Sequence, residues 1–447
     1  MVQRRKILFV ASELTPLAKV GGLGDVVGSL PKALVEQGAE VGVIIPRYTM
    51  IPISGLQRVG VITVPLAKGA ETVTIYKTVI PHSRVTVWCL DNRTYLSRGP
   101  IYGSRSAFAG SFSEIQRFLF FSKAVYELLQ HGMLAYDIIH CHDWHTGTLA
   151  ALLRGSNRKT VFTIHNLANQ GVWPAKEVDR WFGANSFRAV GREYNFMSEG
   201  IRNAGLVTTV SPTYAKEILT KQYGEGLEGL LKKRAARREL TGILNGIDYS
   251  FWPIKKNPVK AKHRAPVFAL ISRLTEQKGL TLLLPLISHY VRECGAVFRF
   301  LGQGEARLEK ALQSAARKYP RNVKVKIGFD EALAHRWYRE ADFFLMPSLF
   351  EPCGLGQMIA MRYGTPPIVR ATGGLRDSVR HLKNGFVFQG ESQAGLEKAM
   401  EQAIAVFYDK KKLAALRRRC LSADFSWKIS ARRYRALYSK LFRRSRL

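Results

Sequence analysis

Short apolar runs alternate with longer stretches of helical period along most of the chain. KILFVAS (6–12), EVGVIIP (40–46), VTVWCLD (85–91), YDIIHCHD (136–143) and TVFTIHN (160–166) have the length and content of strands buried on both faces. Between several of them lie stretches such as SEIQRFLFFSKAVYELLQHG (113–132), apolar at i, i+3 and i+4 and stopped by Gly132. Strand, helix, strand in this order predicts parallel sheets. A second set follows: PVFALISRL, AVFRFLGQG, VKVKIGF, DFFLMPS, TPPIVRA and GFVFQG, with helical stretches such as EALAHRWYREA among them. The stretch ILNGIDYSFWPIKKNPVKAKHRAP (243–266), with prolines, basic residues and little period, reads as a linker. The pattern therefore predicts an α/β chain of two doubly wound domains, 1–245 and 246–427, with a helix and basic tail at 428–447. Ligands in such folds sit at the carboxyl ends of the strands.

At 447 residues with 46% hydrophobic content the chain can bury two sizeable cores. It has no apolar run long enough to span a membrane, so no membrane partner is expected. The opening MVQRRKILFVASEL places basic residues before an apolar run, but the run is short and meets Glu13 at once. It reads as a first buried strand rather than an export signal. Five cysteines, none at CxxC spacing, fit a reducing cytoplasm and argue against a disulfide framework or structural zinc. The net charge of +34 is large, and residues 427–447 hold Lys and Arg but no acid. A polyanion or a phosphorylated small molecule would exploit it. No zinc-finger, homeodomain or RNP pattern accompanies the charge, so nucleic acid is not the expected partner. Oligomeric state is not legible.

Four predicted strand-to-helix corners carry glycine, cation or carboxylate. In KVGGLGDVVG the pair Gly21–Gly22 either makes a structural turn or lets a ligand approach the backbone ahead of a helix N-terminus. It is neither a GxxxxGK[ST] loop nor a GxGxxG loop. In ISRLTEQKGL, Arg273 and Lys278 stand five apart where a loop enters a helix, able to hold a diphosphate or simply to face solvent. In SLFEPCGLGQM, Glu351 directly follows a strand, and the amides of Gly354 to Gly356 could cradle phosphate. RATGGLRDSV adds another glycine pair. HCHDWH puts His140, His142 and His145 beside Asp143, which reads as a zinc site or as a hydrogen-bonded Asp–His corner. TIHN brings His165 and Asn166 to the next strand end, where a neutral imidazole could bind a hydroxyl.

Together with FTIHNLANQG, VSPTYAKEI, YGEGLEGLL and LNGID, and in this order over essentially the whole chain, these motifs resemble the bacterial glycogen synthase and plant starch synthase family. The resemblance implies a GT-B fold whose C-terminal helix crosses back to the first domain. It implies transfer of glucose from ADP-glucose to the non-reducing end of an α-1,4-glucan, with retention of configuration and with no metal or other cofactor. A related GT-B glucosyltransferase using UDP-glucose or a small acceptor is the alternative. By the same resemblance His165, Arg273, Lys278 and Glu351 are catalytic. Lys19, Gly21, Gly22, Asp25, Asn166, Asn245, Phe329, Gly354, Leu355, Thr372 and Gly373 belong to the donor, Phe329 stacking on adenine. Glu13, Tyr95, Asp143 and His145 lie on the acceptor side. The wider GT-B class often carries a second Glu eight positions after the first, where this chain has Ile359, as the glucan synthases commonly do. The segments 166–200 and 90–103 are shorter than is usual in the family.

Overall fold

The computed structural model describes residues 5–103, 113–183, 187–189, 191–254 and 265–443. The five runs of the first set become β1 (Lys6–Val10), β2 (Glu40–Pro46), β5 (Thr86–Asp91), β6 (Ile138–His142) and β7 (Lys159–Ile164), and the structure adds β3 (Gln57–Pro65), β4 (Ala70–Val79), β8 (Val172–Pro174), β9 (Glu193–Asn195), β10 (Leu206–Thr209) and β11 (Leu240–Gly242), which those runs do not mark. The second set becomes β12 (Val267–Ile271), β13 (Val297–Gly302), β14 (Val323–Ile327), β15 (Phe343–Met346), β16 (Pro367–Arg370) and β17 (Phe386–Phe388).

The chain divides into two compact units. One holds the chain up to Val210, then Ala215–Gly246 and the segment from Trp427; the other holds Ser211–Tyr214 and Ile247–Ser426. The first unit is built on a nine-stranded sheet in the order β11-β10-β7-β6-β1-β2-β5-β4-β3. Its β1 pairs in parallel with β2 (Ile7 opposite Val41) and with β6 (Ile7 opposite Ile138). These central strands are buried on both faces, which is why they read as continuous apolar runs. At one edge β3, β4 and β5 run antiparallel. The β3–β4 hairpin alternates in burial, so a search for continuous runs passes over it. A separate two-stranded sheet joins β8 and β9.

The second unit is a six-stranded, wholly parallel sheet in the order β14-β13-β12-β15-β16-β17. The order reverses at β12 and β15, the position where doubly wound sheets hold their ligands. Its core stacks Phe268 on Phe298 and Phe343 at ring separations of 5.3 and 5.6 Å.

The C-terminal helix Trp427–Arg443 belongs to the first unit, as the resemblance implied. Trp427, Ala431, Tyr434, Leu437, Tyr438 and Leu441 recur at helical spacing and enter the same core as Val26, Val27 and Leu30 of the helix Gly22–Glu36. Each large apolar side chain so buried is worth about 1.5–3 kcal/mol. The outer face shows Lys428, Arg432, Arg433 and Arg435. No helix of the described residues is long and apolar enough to cross a membrane.

Candidate active site

In the second unit the corners after β12 and β15 meet. The loop leaving β12 makes a short turn, Glu276–Lys278, and Gly279 at φ 70° starts the helix Leu280–Cys294. This turns Lys278 back over the sheet, and its Nζ lies 2.6 Å from Oε2 of Glu351. Ser348 Oγ donates to the same oxygen at 3.0 Å. Glu351 is buried, so its charge needs these partners. Gln277 ties the two corners together. Its Nε2 donates to the carbonyl of Phe350 at 3.0 Å, its Oε1 accepts from Arg273 at 3.2 Å, and its carbonyl receives the Leu349 N–H. Arg273 is exposed and does not touch Glu351.

The corner after β16 closes on the same loop. Gly373 stands at φ 44°, and a Cβ there would collide with the carbonyl oxygen of Glu351. The Gly374 N–H donates to that oxygen at 3.2 Å. Thr372 precedes the short helix Gly373–Ser378, as Leu355 precedes Gly356–Arg362. Gly354 lies at φ 71°. Buried Arg370 donates through Nε to the Ser348 carbonyl at 2.9 Å, and also to Leu349, so its charge fixes the backbone that carries Glu351. After β14, Gly328 at φ 109° presents Phe329, whose ring is 77% exposed. An apolar ring left that open suits stacking on a flat ligand.

In the first unit β1, β6 and β7 deliver Glu13, Asp143 and His165 to one edge of the sheet. Glu13 is spent on the loop itself: Oε2 accepts from the Val20 and Gly21 N–H groups at 2.7 and 2.8 Å, and Oε1 accepts from Tyr102 at 2.7 Å. Lys19 pairs with Asp25 at 2.6 Å, each about one-third exposed. Burial pushes the Asp25 carboxyl up, against the pull of Lys19. The freedom of Gly21 and Gly22 to take positive φ is not used, since Gly21 is extended at φ −139° and neither stands in the left-handed region. At Gly22 a Cβ would meet nothing within 4 Å, so the space above the backbone is open.

Asp143 sits at φ 56°, ψ −179°, a strained setting for a side chain. Its Oδ1 accepts from the His165 N–H at 2.6 Å, and the Asn166 N–H also bonds it. The Asp–His corner is therefore carboxylate to backbone, not carboxylate to imidazole. Burial raises the Asp143 carboxyl to about 7 despite those bonds. Burial likewise lowers His140, His145 and His165 to about 3 and His142 well below its usual value, so all four rings are neutral. Both ring nitrogens of His140 are taken, Nδ1 by Tyr438 at 2.8 Å and Nε2 by Thr163 at 2.6 Å. Among the described residues no group of three or more His, Cys, Asp or Glu could hold a metal ion, so the zinc reading of HCHDWH has no support.

Residues 6–233 match the family model "Starch synthase catalytic domain", and residues 253–417 match "Glycosyl transferases group 1". Glycogen synthases of Desulfitobacterium hafniense and Thermodesulfovibrio yellowstonii are 40% and 36% identical, over 98% of this chain and 99% and 98% of theirs. The chain belongs to the glycogen and starch synthase family. The catalytic domain of starch synthase IV from Arabidopsis thaliana, solved with ADP and acarbose, matches at TM-score 0.88 and 31% identity, covering 98% of this chain and 99% of that one. Sucrose-phosphate synthase from Thermosynechococcus elongatus, at 18% identity and TM-score 0.63, shares the GT-B fold.

Within this glycosyltransferase the structure gathers Lys278, Glu351, Gly354, Leu355, Thr372 and Gly373 around one switch point. In the other unit it gathers Lys19, Gly21, Gly22, Asp25 and Glu13 around one loop, with Asp143, His165 and Asn166 at the neighbouring strand ends. Asn245 is buried with its Oδ1 unpartnered. His145 stacks on Tyr102 at 5.0 Å, whereas Tyr95 packs apart from it, against Phe120 and Trp181 at 4.6 and 4.8 Å. The sequence marks His142 only as one of the HCHDWH histidines, and no motif singles out Gln277, Arg370 or Tyr102.

Proposed function

We propose that the enzyme transfers glucose from ADP-glucose to the non-reducing end of an α-1,4-glucan with retention. The observation that carries this reading is the Lys278–Glu351 pair, set at the switch point of a unit that resembles a solved ADP-bound glucan synthase. Catalysis of this transfer is mostly stabilisation of a departing diphosphate. Lys278, held in place by Glu351, and the exposed Arg273 would supply fixed positive charge to it. Glu351 would also accept from sugar hydroxyls, and Phe329 would stack on the base. Lys19, at the open backbone of Gly22, would meet the anionic donor. His165 would face the glucosyl group as a neutral ring, adding no positive charge beside a carbon that becomes cationic. The position eight residues after Glu351 is the buried Ile359, so that position offers no carboxylate nucleophile. Attack on the face the diphosphate leaves, with a phosphate oxygen taking the acceptor's proton, accounts for retention.

The test is ADP release from ADP-glucose with and without a malto-oligosaccharide, alongside UDP-glucose as competing donor. Acceptor-dependent release with chain lengthening is expected. Preference for UDP-glucose, or hydrolysis without transfer, would overturn the reading.

A further inference from the structure

We propose that His142 is a positioning residue that holds His165 in the tautomer protonated on Nδ1, so that a hydrogen-bond donor faces the substrate. This rests on the proposed place of His165 at the glucosyl group. Strands β6 and β7 are parallel with His142 opposite Thr163, which sets His165 diagonally across from it. His142 Nδ1 and His165 Nε2 are 2.9 Å apart. Burial keeps both rings neutral, so the pair shares a single proton in that bond.

Which ring owns the proton follows from the other nitrogen of His142. The ring packs against His140 at 4.3 Å and Phe9 at 5.1 Å, which also touch each other at 4.7 Å, and is fully buried. Its Nε2 has no hydrogen-bond partner, and His140 has no nitrogen to spare for it. A proton on Nε2 would leave a buried N–H with no acceptor, the rarer kind of orphan in folded proteins. A proton on Nδ1 places the one donor of His142 in the bond to His165 and leaves only a lone pair unmet. His165 Nε2 is then the acceptor, and its own proton sits on Nδ1. That nitrogen makes no hydrogen bond among the described residues, and the ring is half-buried rather than enclosed. It is therefore available to donate to a sugar oxygen. The opposite tautomer would present a lone pair there and could not donate.

The full-length protein labelled with 15N at its ten histidines reports the tautomer directly by long-range proton–nitrogen correlation, the His165 signals being assigned by loss in His165→Ala. Nδ1–H on His165, unchanged over about pH 6 to 8, is expected; a proton on Nε2 would overturn the proposal. Two variants test the consequence. His142→Leu removes the donor and is expected to lower kcat about tenfold to a hundredfold with a smaller change in KM. His142→Asn keeps an N–H near the position of Nδ1 and is expected to restore most of kcat. Equal loss in both variants, each folded by circular dichroism, would reduce His142 to a packing residue. Unchanged turnover in His165→Ala would instead sink the placement of His165 at the sugar, while the tautomer measurement would stand by itself.

Discussion

Lys278 Nζ and Glu351 Oε2, 2.6 Å apart, join the corners that follow β12 and β15 across the point where the strand order reverses. Both side chains are mostly buried, at 13% and 7% exposure. Removing either partner strands the other's charge, so Lys278→Ala and Glu351→Ala should each destabilise by about 3–5 kcal/mol. Lys278→Met removes the charge that faces the diphosphate and should lower kcat about 10²–10³-fold. Donor turnover and denaturant midpoints measured on the same preparations separate the two effects. Wild-type turnover in Lys278→Met would remove the lysine from the site.

Gly373 and Gly22 make a contrasting pair. Gly373→Ala forces a methyl into the Glu351 carbonyl from a positive φ and should cost about 1–3 kcal/mol, with a fall in kcat as Glu351 shifts. Gly22→Ala meets open space at the start of a helix and should cost no stability. If a donor approaches the backbone there, the added methyl still raises KM for ADP-glucose. The melting temperature should therefore fall in Gly373→Ala and hold in Gly22→Ala, while donor titrations should show the rise in KM in Gly22→Ala.

The strands buried on both faces were legible because unbroken apolar runs leave few alternatives, and β2 matches its run from Glu40 to Pro46. The β3–β4 hairpin was not, because one face is solvated and its apolar residues alternate. Lys278 and Glu351 stood out as charges placed after strands. Arg370 did not, although it holds the Glu351 loop, because a guanidinium bonded to carbonyls leaves no periodic trace. Glu13 reads from sequence like any acceptor-side carboxylate; only the structure shows both its oxygens committed to Val20, Gly21 and Tyr102.

Acid should destabilise the first unit. His140, His145 and His165 titrate near about 3 when folded and His142 well below its usual value, against about 6.5 when free. The unfolded chain therefore binds more protons between these values, and stability falls as pH drops through that window. Asp143 works the other way. Its carboxyl titrates near 7 folded and near 3.9 free, so the folded state holds the extra proton and stability falls as pH rises from about 4 to 7. Four groups oppose one, and the net trend is loss in acid. Asp143→Asn removes the opposing contribution and should steepen that loss. Denaturant midpoints from about pH 4 to 7 check this, and a shallower profile in Asp143→Asn would contradict the raised carboxyl.

Tyr438 carries the remaining prediction. Its hydroxyl meets His140 Nδ1 at 2.8 Å in a fully buried setting, linking the C-terminal helix to β6. His140 Nε2 meets Thr163, and Thr163 meets Thr208 at 2.5 Å, so the chain of polar contacts runs on across β7 and β10. Tyr438→Phe keeps the ring and its packing but leaves His140 Nδ1 without a partner, which should cost about 1–3 kcal/mol. None of these atoms lies on the surface that would meet substrate. Turnover below the melting transition should therefore stay at the wild-type level while the melting temperature falls. A loss of kcat in a folded Tyr438→Phe enzyme would mean that the histidine stack, and not the helix alone, transmits the contact to His165.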